Sequence, residues 1–298
     1  MKSKVLAAAF AAIVSSGAAY AADLPSKKGA PVMPLAVSPW DFDIGAGLTT
    51  DYIFRGISQS NHSFGVNAHA EIKYNFNDTY QGYVGIVGNS IKLTKFDPSP
   101  SMELDIYGGV RATFGKFSID LGGWGYLYPG LQTPTANLIF PTQIHFWEAY
   151  AKLGYAITDT ISVGANYFYT PSYLNTGAKG SYLSGTFKVG LPGDFAVSGE
   201  FGRQWLGRTN AAHFSYKMPD YNYWNLGVSY TWKMATLDLR YHDTNLSPGR
   251  CFLITGPTDT VVGTRSNYCD RRFVGTISFA ITAKDLAALP GSAVVAKY

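Results

Sequence analysis

Three groups of residues have types and spacings that can carry chemistry. His213-Phe214-Ser215 sets a base and a hydroxyl two residues apart, as a barrel lipase would place them on one strand face, with Asn222 or Asn225 available as an orienter. The triplet falls in a polar loop, where His and Ser are common, and no glycine-rich phosphate loop or nucleophile elbow stands in a strand-to-helix context. The expectation is a chain that is not an enzyme and carries no cofactor. The second group is Cys251 and Cys269, the two cysteines of the chain. The third is a set of acids and bases at every second position. In Met102 to Phe114, Glu103, Asp105, Arg111 and Thr113 hold one parity, while Met102, Leu104, Ile106, Val110, Ala112 and Phe114 hold the other. A period of two is a strand with one wet and one apolar face.

The compartment follows from the start of the chain. Lys2 and Lys4 precede an apolar stretch from Val5 to Val14, and Ala19-Tyr20-Ala21 offers small residues for a peptidase, so residues 1–21 read as a secretory signal. The apolar stretch is far shorter than the roughly 20 residues that span a bilayer. Without Lys2 and Lys4, 22 basic residues face 20 acids, a balance that argues against nucleic acid as a partner. Charged residues make up 15% of the chain and aromatics another 15%. Soluble domains carry about 25% charged residues, so the imbalance suits a sheet whose outer face meets lipid. Residues 22–39, rich in Pro, Ala and Lys, read as a flexible periplasmic lead-in. An exported chain with two cysteines pairs them, and no second Cys or His pair sits nearby at metal-ligand spacing, so a Cys251–Cys269 disulfide is expected and no metal.

Alternation recurs in twelve segments: Trp40 to Arg55, Phe64 to Tyr74, Tyr80 to Ile91, Met102 to Phe114, Phe117 to Tyr128, Phe146 to Tyr155, Ile161 to Tyr169, Tyr182 to Leu191, Phe195 to Trp205, Tyr221 to Lys233, Ala235 to His242 and Phe273 to Ala283. The connections alternate in length. Gly115-Lys116 and Met234 are tight, whereas Pro129 to His145 and Asp243 to Arg272 are long. An up-and-down barrel with periplasmic turns and extracellular loops requires this alternation, and a Greek-key sandwich does not. The fold expected is all-β, a transmembrane antiparallel β-barrel of about twelve strands over residues 40–283. It would sit in the bacterial outer membrane among lipid and lipopolysaccharide, followed by a C-terminal tail, residues 284–298. Trp40, Phe42, Tyr52, Phe54, Tyr74, Tyr80, Trp147, Tyr155, Tyr167, Tyr169, Trp205, Tyr221, Tyr223 and Trp232 fall at or near strand ends, where rings settle at a headgroup boundary.

The charged parity should face the lumen, since a Lys or Arg facing lipid at mid-membrane costs roughly 2 to 4 kcal/mol. That parity holds the acids Asp41, Asp43, Glu71, Glu103, Asp105, Asp120, Glu148, Glu200 and Asp238. Its bases are Lys73, Arg111, Lys152, Lys188 and Arg240. Trp124, Tyr126, Tyr128, Tyr150 and Phe168 share it, so acidic charge and aromatic faces that attract organic cations come together. The residues expected to line a pore are Glu71, Glu103, Asp105, Arg111, Asp120, Trp124, Tyr126, Glu148, Lys152, Glu200, Asp238 and Arg240. The alternative is that they pair with one another and satisfy a polar interior. Eight strands give a filled interior and sixteen or more an open channel, and twelve lies between.

Asp51-Tyr52-Ile53-Phe54-Arg55-Gly56-Ile57-Ser58-Gln59, Gly199-Glu200-Phe201-Gly202-Arg203-Gln204-Trp205 and Tyr221-Asn222-Tyr223-Trp224-Asn225-Leu226-Gly227 resemble segments of the TorF-like family of proteobacterial envelope porins. The resemblance covers most of the mature chain and brings no catalytic residues. It implies an outer-membrane barrel that passes small solutes such as amine oxides; with the excess of inward acids and the inward Trp124 and Tyr126, the expectation is a porin that passes small hydrophilic solutes passively, with a weak preference for cations or amine-type solutes. A non-conducting structural or adhesive surface protein is the alternative. The chain departs from the usual barrel pattern at its end, where Pro290-Gly291 interrupts the tail after the last good strand. Either Phe279 lies inside an internal assembly signal, or the end itself is unusual.

A Cys251–Cys269 bridge closes a loop worth roughly 3 kcal/mol in the unfolded ensemble by chain-entropy estimates. Its effect should be local, because a barrel is held by its closed hydrogen-bond network. Cys251→Ser is expected to leave the barrel folded and to make the loop protease-sensitive; free thiols in mass spectra of the protein taken from the envelope would contradict the bridge.

Overall fold

The computed structural model describes residues 38–93, 100–131, 143–256 and 264–287. The expected signal segment, all but the end of the lead-in and the tail beyond 287 lie outside the described residues.

Twelve of the strands form the wall: β1 (Trp40–Thr49), β4 (Gly65–Asn75), β5 (Tyr80–Ser90), β6 (Met102–Phe114), β7 (Phe117–Leu127), β8 (Phe146–Ala156), β9 (Ile161–Thr170), β10 (Gly180–Leu191), β11 (Phe195–Leu206), β12 (Tyr221–Trp232), β13 (Ala235–Thr244) and β14 (Arg272–Thr282). Each runs antiparallel to its sequence neighbours, and β1 pairs with both β4 and β14, which closes the barrel. Two short strands, β2 (Ile53–Phe54) and β3 (Ile57–Ser58), form a separate hairpin.

Alternation sorts side chains as the sequence requires. Ile44, Val84, Val110, Leu121, Leu226 and Leu239 are exposed on the outer face, while Glu103, Asp105, Asp120 and Glu148 are buried within. Apolar outside and charged inside is the reverse of a soluble protein, and a closed sheet leaves no unpaired edge in hydrocarbon. The wall therefore spans a membrane. Exposed rings mark both rims, with Trp40, Tyr80, Tyr155 and Trp232 at the short-turn end and Trp147, Tyr169, Trp205 and Phe273 at the loop end.

The structure departs from the sequence reading in three places. The first strand does not run to Arg55; it stops at Thr49, and the chain turns into the mouth. Asp51 drives the turn, because its Oδ1 accepts hydrogen bonds from the hydroxyls of Ser58 (2.6 Å) and Ser60 (2.8 Å), and Ser60 Oγ accepts from the Tyr52 amide (2.9 Å). Such local side-chain bonds compete with a strand ladder. The second departure is that Tyr52 and Phe54, carried inward by that turn, and Tyr221 and Tyr223, on the inward parity of β12, are buried in the interior and do not face the lipid boundary. The third is a helix, α1 (Pro248–Thr255), in the longest loop. Ser247 caps it by accepting from the Arg250 amide, Pro248 starts it, and Cys251 is tied to Cys269 by a disulfide. The Tyr268 carbonyl accepts from the Ser58 amide at 2.9 Å, so this loop lies over the β2–β3 hairpin. A last short helix, α2 (Ala283–Ala287), follows β14 directly.

Both wall ends, Trp40 and Thr282, lie with the short turns. An epitope tag at Gly177 is expected to be reached by antibody on intact cells and one at Lys116 only after the envelope is opened; the opposite pattern would reverse the orientation.

Candidate functional site

The β2–β3 hairpin turns on Arg55 (φ +46°) and Gly56 (φ +83°). Positive φ at both central residues is what a two-residue type I′ hairpin demands, and Asn-Gly is its favoured sequence. An arginine in this region costs roughly 1 to 2 kcal/mol, so something must hold it there. Glycine at the next position is needed on two grounds, since a Cβ on Gly56 would also meet Thr244 Cγ2 at 2.4 Å and Tyr223 Cδ2 at 2.7 Å.

What holds Arg55 is the barrel wall. Its Nη1 and Nη2 donate to Glu148 Oε1 and Oε2 at 2.9 and 2.6 Å, and Nη1 also donates to Gln204 Oε1 at 2.9 Å. The guanidinium carbon lies 4.7, 5.0 and 4.4 Å from the ring centroids of Phe54, Phe168 and Tyr182. Tyr126 donates its hydroxyl to Glu148 Oε2 at 3.0 Å. Both members of the ion pair are almost fully excluded from solvent, at 1% and 0% side-chain exposure. A two-pronged arginine–carboxylate pair stacked between rings is the strong form of such a contact.

The carboxylates nearest the mouth have no such cation. Glu103 accepts from the Tyr52 hydroxyl at 2.6 Å, Asn89 Nδ2 lies 3.5 and 3.4 Å from Glu103 and Asp105, and Asp105 Oδ1 is buried without a hydrogen-bond partner. No ion pair reaches either acid among the described residues. Trp124 stacks on Tyr107, with centroids 4.2 Å apart and planes 6° from parallel. Beyond the end of β1, Asp51 pairs with Arg272, the first residue of β14, at 2.6 Å. Burial alone would raise its carboxyl, but hydrogen bonds from His62, Ser58 and Ser60 and the charge of Arg272 hold it below the ordinary carboxylate range.

Below the hairpin the interior holds two polar clusters, one around Arg111 and one around Arg240. Arg111 donates to both oxygens of Glu71 (2.7 and 3.0 Å) and to Asp120 (3.3 Å), with its guanidinium 3.6 Å above the Tyr83 ring. The Tyr83 hydroxyl bonds to Asp120 and to the Tyr150 hydroxyl. Lys152 rests against the faces of Tyr150 and Phe168, at 4.5 and 5.5 Å from their centroids. Arg240 donates to Asp238 (3.1 and 2.9 Å) and Asn225 (2.6 Å), and Tyr182 donates to Glu200 at 2.8 Å. The twelve residues expected to line a pore lie on the enclosed face of the wall, where Glu103, Tyr126 and Glu148 meet Tyr52, Phe54 and Arg55 of the inserted hairpin.

Arg55, Tyr52 and Gln204 were not among those twelve. Gln204 shares parity with Glu200, a signal present in the sequence; Arg55 stands at the end of an apparent strand, where nothing local marks a turn into the barrel. His213 and Ser215 do not come together as a catalytic pair. Ser215 is exposed, the ring and the hydroxyl share no hydrogen bond among the described residues, and Asn225 is committed to Tyr223 and Arg240 inside the barrel.

Removing one partner of a buried ion pair typically costs about 3 to 5 kcal/mol, whereas replacing both by apolar side chains of similar volume is close to neutral. Glu148→Ala is therefore expected to expose residues 51–60 to hydrogen exchange and protease in the folded barrel. Arg55→Met with Glu148→Leu should restore most of the protection. Equal protection in wild type and Glu148→Ala would show that the pair does not hold the hairpin.

Residues 34–264 match the model of a family described as bacterial protein of unknown function (Gcw_chp). No curated protein matches the chain. Among solved structures, the barrel is similar to the NanC porin (12% identity, 80% of this chain and 98% of that one, TM-score 0.48). It is also similar to the KdgM porin (11% identity, 80% and 98%, TM-score 0.41) and to the Pseudomonas putida toluene transporter TodX (10% identity, 83% and 89%, TM-score 0.41). A closed, lipid-facing twelve-stranded barrel in a bacterial chain is an outer-membrane protein. With most of its length matched, the chain belongs to the Gcw_chp family, a bacterial family of unknown function.

Proposed function

We propose that the protein is an outer-membrane porin for small hydrophilic solutes, shut in this state by its first extracellular loop and weakly favouring cations and amine-type solutes when open. One observation carries the reading: what fills the mouth is not the wall but a tethered hairpin, residues 51–60, whose turn is held by the buried Arg55–Glu148 ion pair and its ring contacts and whose flanks are held by Tyr52 on Glu103 and Asp51 on Arg272. Twelve strands enclose more space than an eight-stranded wall fills with its own side chains. With the hairpin withdrawn, Glu71, Arg111, Asp120, Lys152, Glu200, Asp238 and Arg240 line the conduit, and Glu103 and Asp105 stand near its entrance as acids without paired bases. The resemblance of the hairpin sequence to TorF-like porins fits the same reading. Residues 1–21 act as the export signal and 22–39 as a periplasmic lead-in.

A non-conducting surface protein is the second reading, favoured by the disulfide-tied α1 loop that covers the hairpin. Planar-bilayer recording separates the two. Wild type is expected to pass rare, small currents, and Arg55→Ala, which leaves Glu148 uncompensated, should raise the open fraction at least tenfold. In the Arg55→Ala background, Glu103→Gln with Asp105→Asn should move the reversal potential toward anions. The shift should shrink as salt rises past about 0.1 M, where the Debye length is about 10 Å. A folded Arg55→Ala barrel that stays silent would replace the channel with the surface protein.

A further inference from the structure

We propose that the wall pocket holding Arg55 is a receptor for guanidinium-type solutes, and that Arg55 is its built-in competitor. The inference rests on the reading of the hairpin as a removable plug, and adds the chemistry of what replaces it. Apart from Phe54, the groups among the described residues that bond to the guanidinium or present a ring to it belong to the wall: Glu148 on β8, Phe168 on β9, Tyr182 on β10 and Gln204 on β11.

These groups are oriented without help from the hairpin. Gln204 donates its Nε2 to the carbonyls of Ser181 (3.1 Å) and Trp205 (3.3 Å), which leaves Oε1 turned to the guest as an acceptor. The Tyr126 hydroxyl fixes Glu148 from the other side at 3.0 Å. A site whose donors and acceptors are already placed spends little binding free energy on ordering.

Its geometry selects within the cations. A carboxylate met by two parallel N–H groups, an amide oxygen beside them and ring faces above suit a planar fork. A primary ammonium is a compact charge that satisfies the carboxylate but not the plane, and an anion is repelled by Glu148. Arg55 itself fits imperfectly, because its Nε is buried with no hydrogen-bond partner. A buried donor left unmade is a cost that a free guest, not bound to a turn at positive φ, can avoid by reorienting. An entering guanidinium solute thus displaces Arg55, and the hairpin leaves with it.

The test reads binding, not current. Calorimetry on detergent-purified protein with methylguanidinium chloride is expected to show Arg55→Ala binding at least tenfold more tightly than wild type, and at least tenfold more tightly than it binds methylammonium chloride at equal ionic strength. Arg55→Ala with Glu148→Gln should lose at least tenfold. Equal binding by the single and double variants, or no binding by the single one, overturns the receptor. If Arg55→Ala does not fold, refolding yield becomes the readout: recovery with methylguanidinium and not with methylammonium supports the site, and equal yields overturn it. Binding without current in any variant would keep the receptor and remove the channel; current in Arg55→Ala without binding would do the reverse.

Discussion

The pairing of β1 with β14, from Asp43 opposite Thr282 to Thr49 opposite Thr276, is the contact on which the molecule depends. In hydrocarbon an unpaired backbone group costs several kcal/mol, so a sheet crossing the membrane must close on itself. Closure then dictates the rest. One parity of every strand meets lipid and must be apolar; the other is enclosed, and whatever charge it carries must find partners within. Arg111 with Glu71 and Asp120, and Arg240 with Asp238 and Asn225, are the partners that this enclosure selects.

The hairpin at the mouth obeys the same rule from the other direction. Placing an arginine at positive φ is locally unfavourable, and burying its charge is worse unless a carboxylate and ring faces receive it. The wall supplies all of these, so two unfavourable choices made in the sequence become stable together. The asymmetry inside the barrel stands out against this background: Arg55 answers Glu148, while Glu103 and Asp105 have only neutral donors. Among the described residues, the buried inward acids without an ion-pair partner are thus Glu103 and Asp105 close to the entrance and Glu200 deeper in the wall, which accepts only from Tyr182 and Asn225.

Twelve strands, the alternation of long and short connections and the inward direction of the charged parity were legible because they follow from a period of two, and period survives without tertiary information. What escaped was set by contacts between distant parts of the chain. Tyr52, Phe54 and Arg55 keep the parity of β1, with Ile53 alone out of step, and the hydroxyls of Ser58 and Ser60 on Asp51 and the reach of Arg55 to Glu148 end the strand early. Tyr221 and Tyr223 lie near a strand end as girdle residues would, yet they share the inward parity with Asn225. Parity outranked position, and the parity was there to be read. Helix α1 carried a local signal, Ser247 followed by Pro248, which a search tuned to alternation passes over.

The partners of Arg55 lie 93 and 149 residues away along the chain, on β8 and β11. Contacts of such separation cannot form until the strands that bear them are in place. During biogenesis the wall up to β11 must therefore exist before the first loop has anywhere to seat its arginine, although that loop is synthesised early. Seating of the hairpin is thus a late event in the assembly of the chain, however early its residues are synthesised.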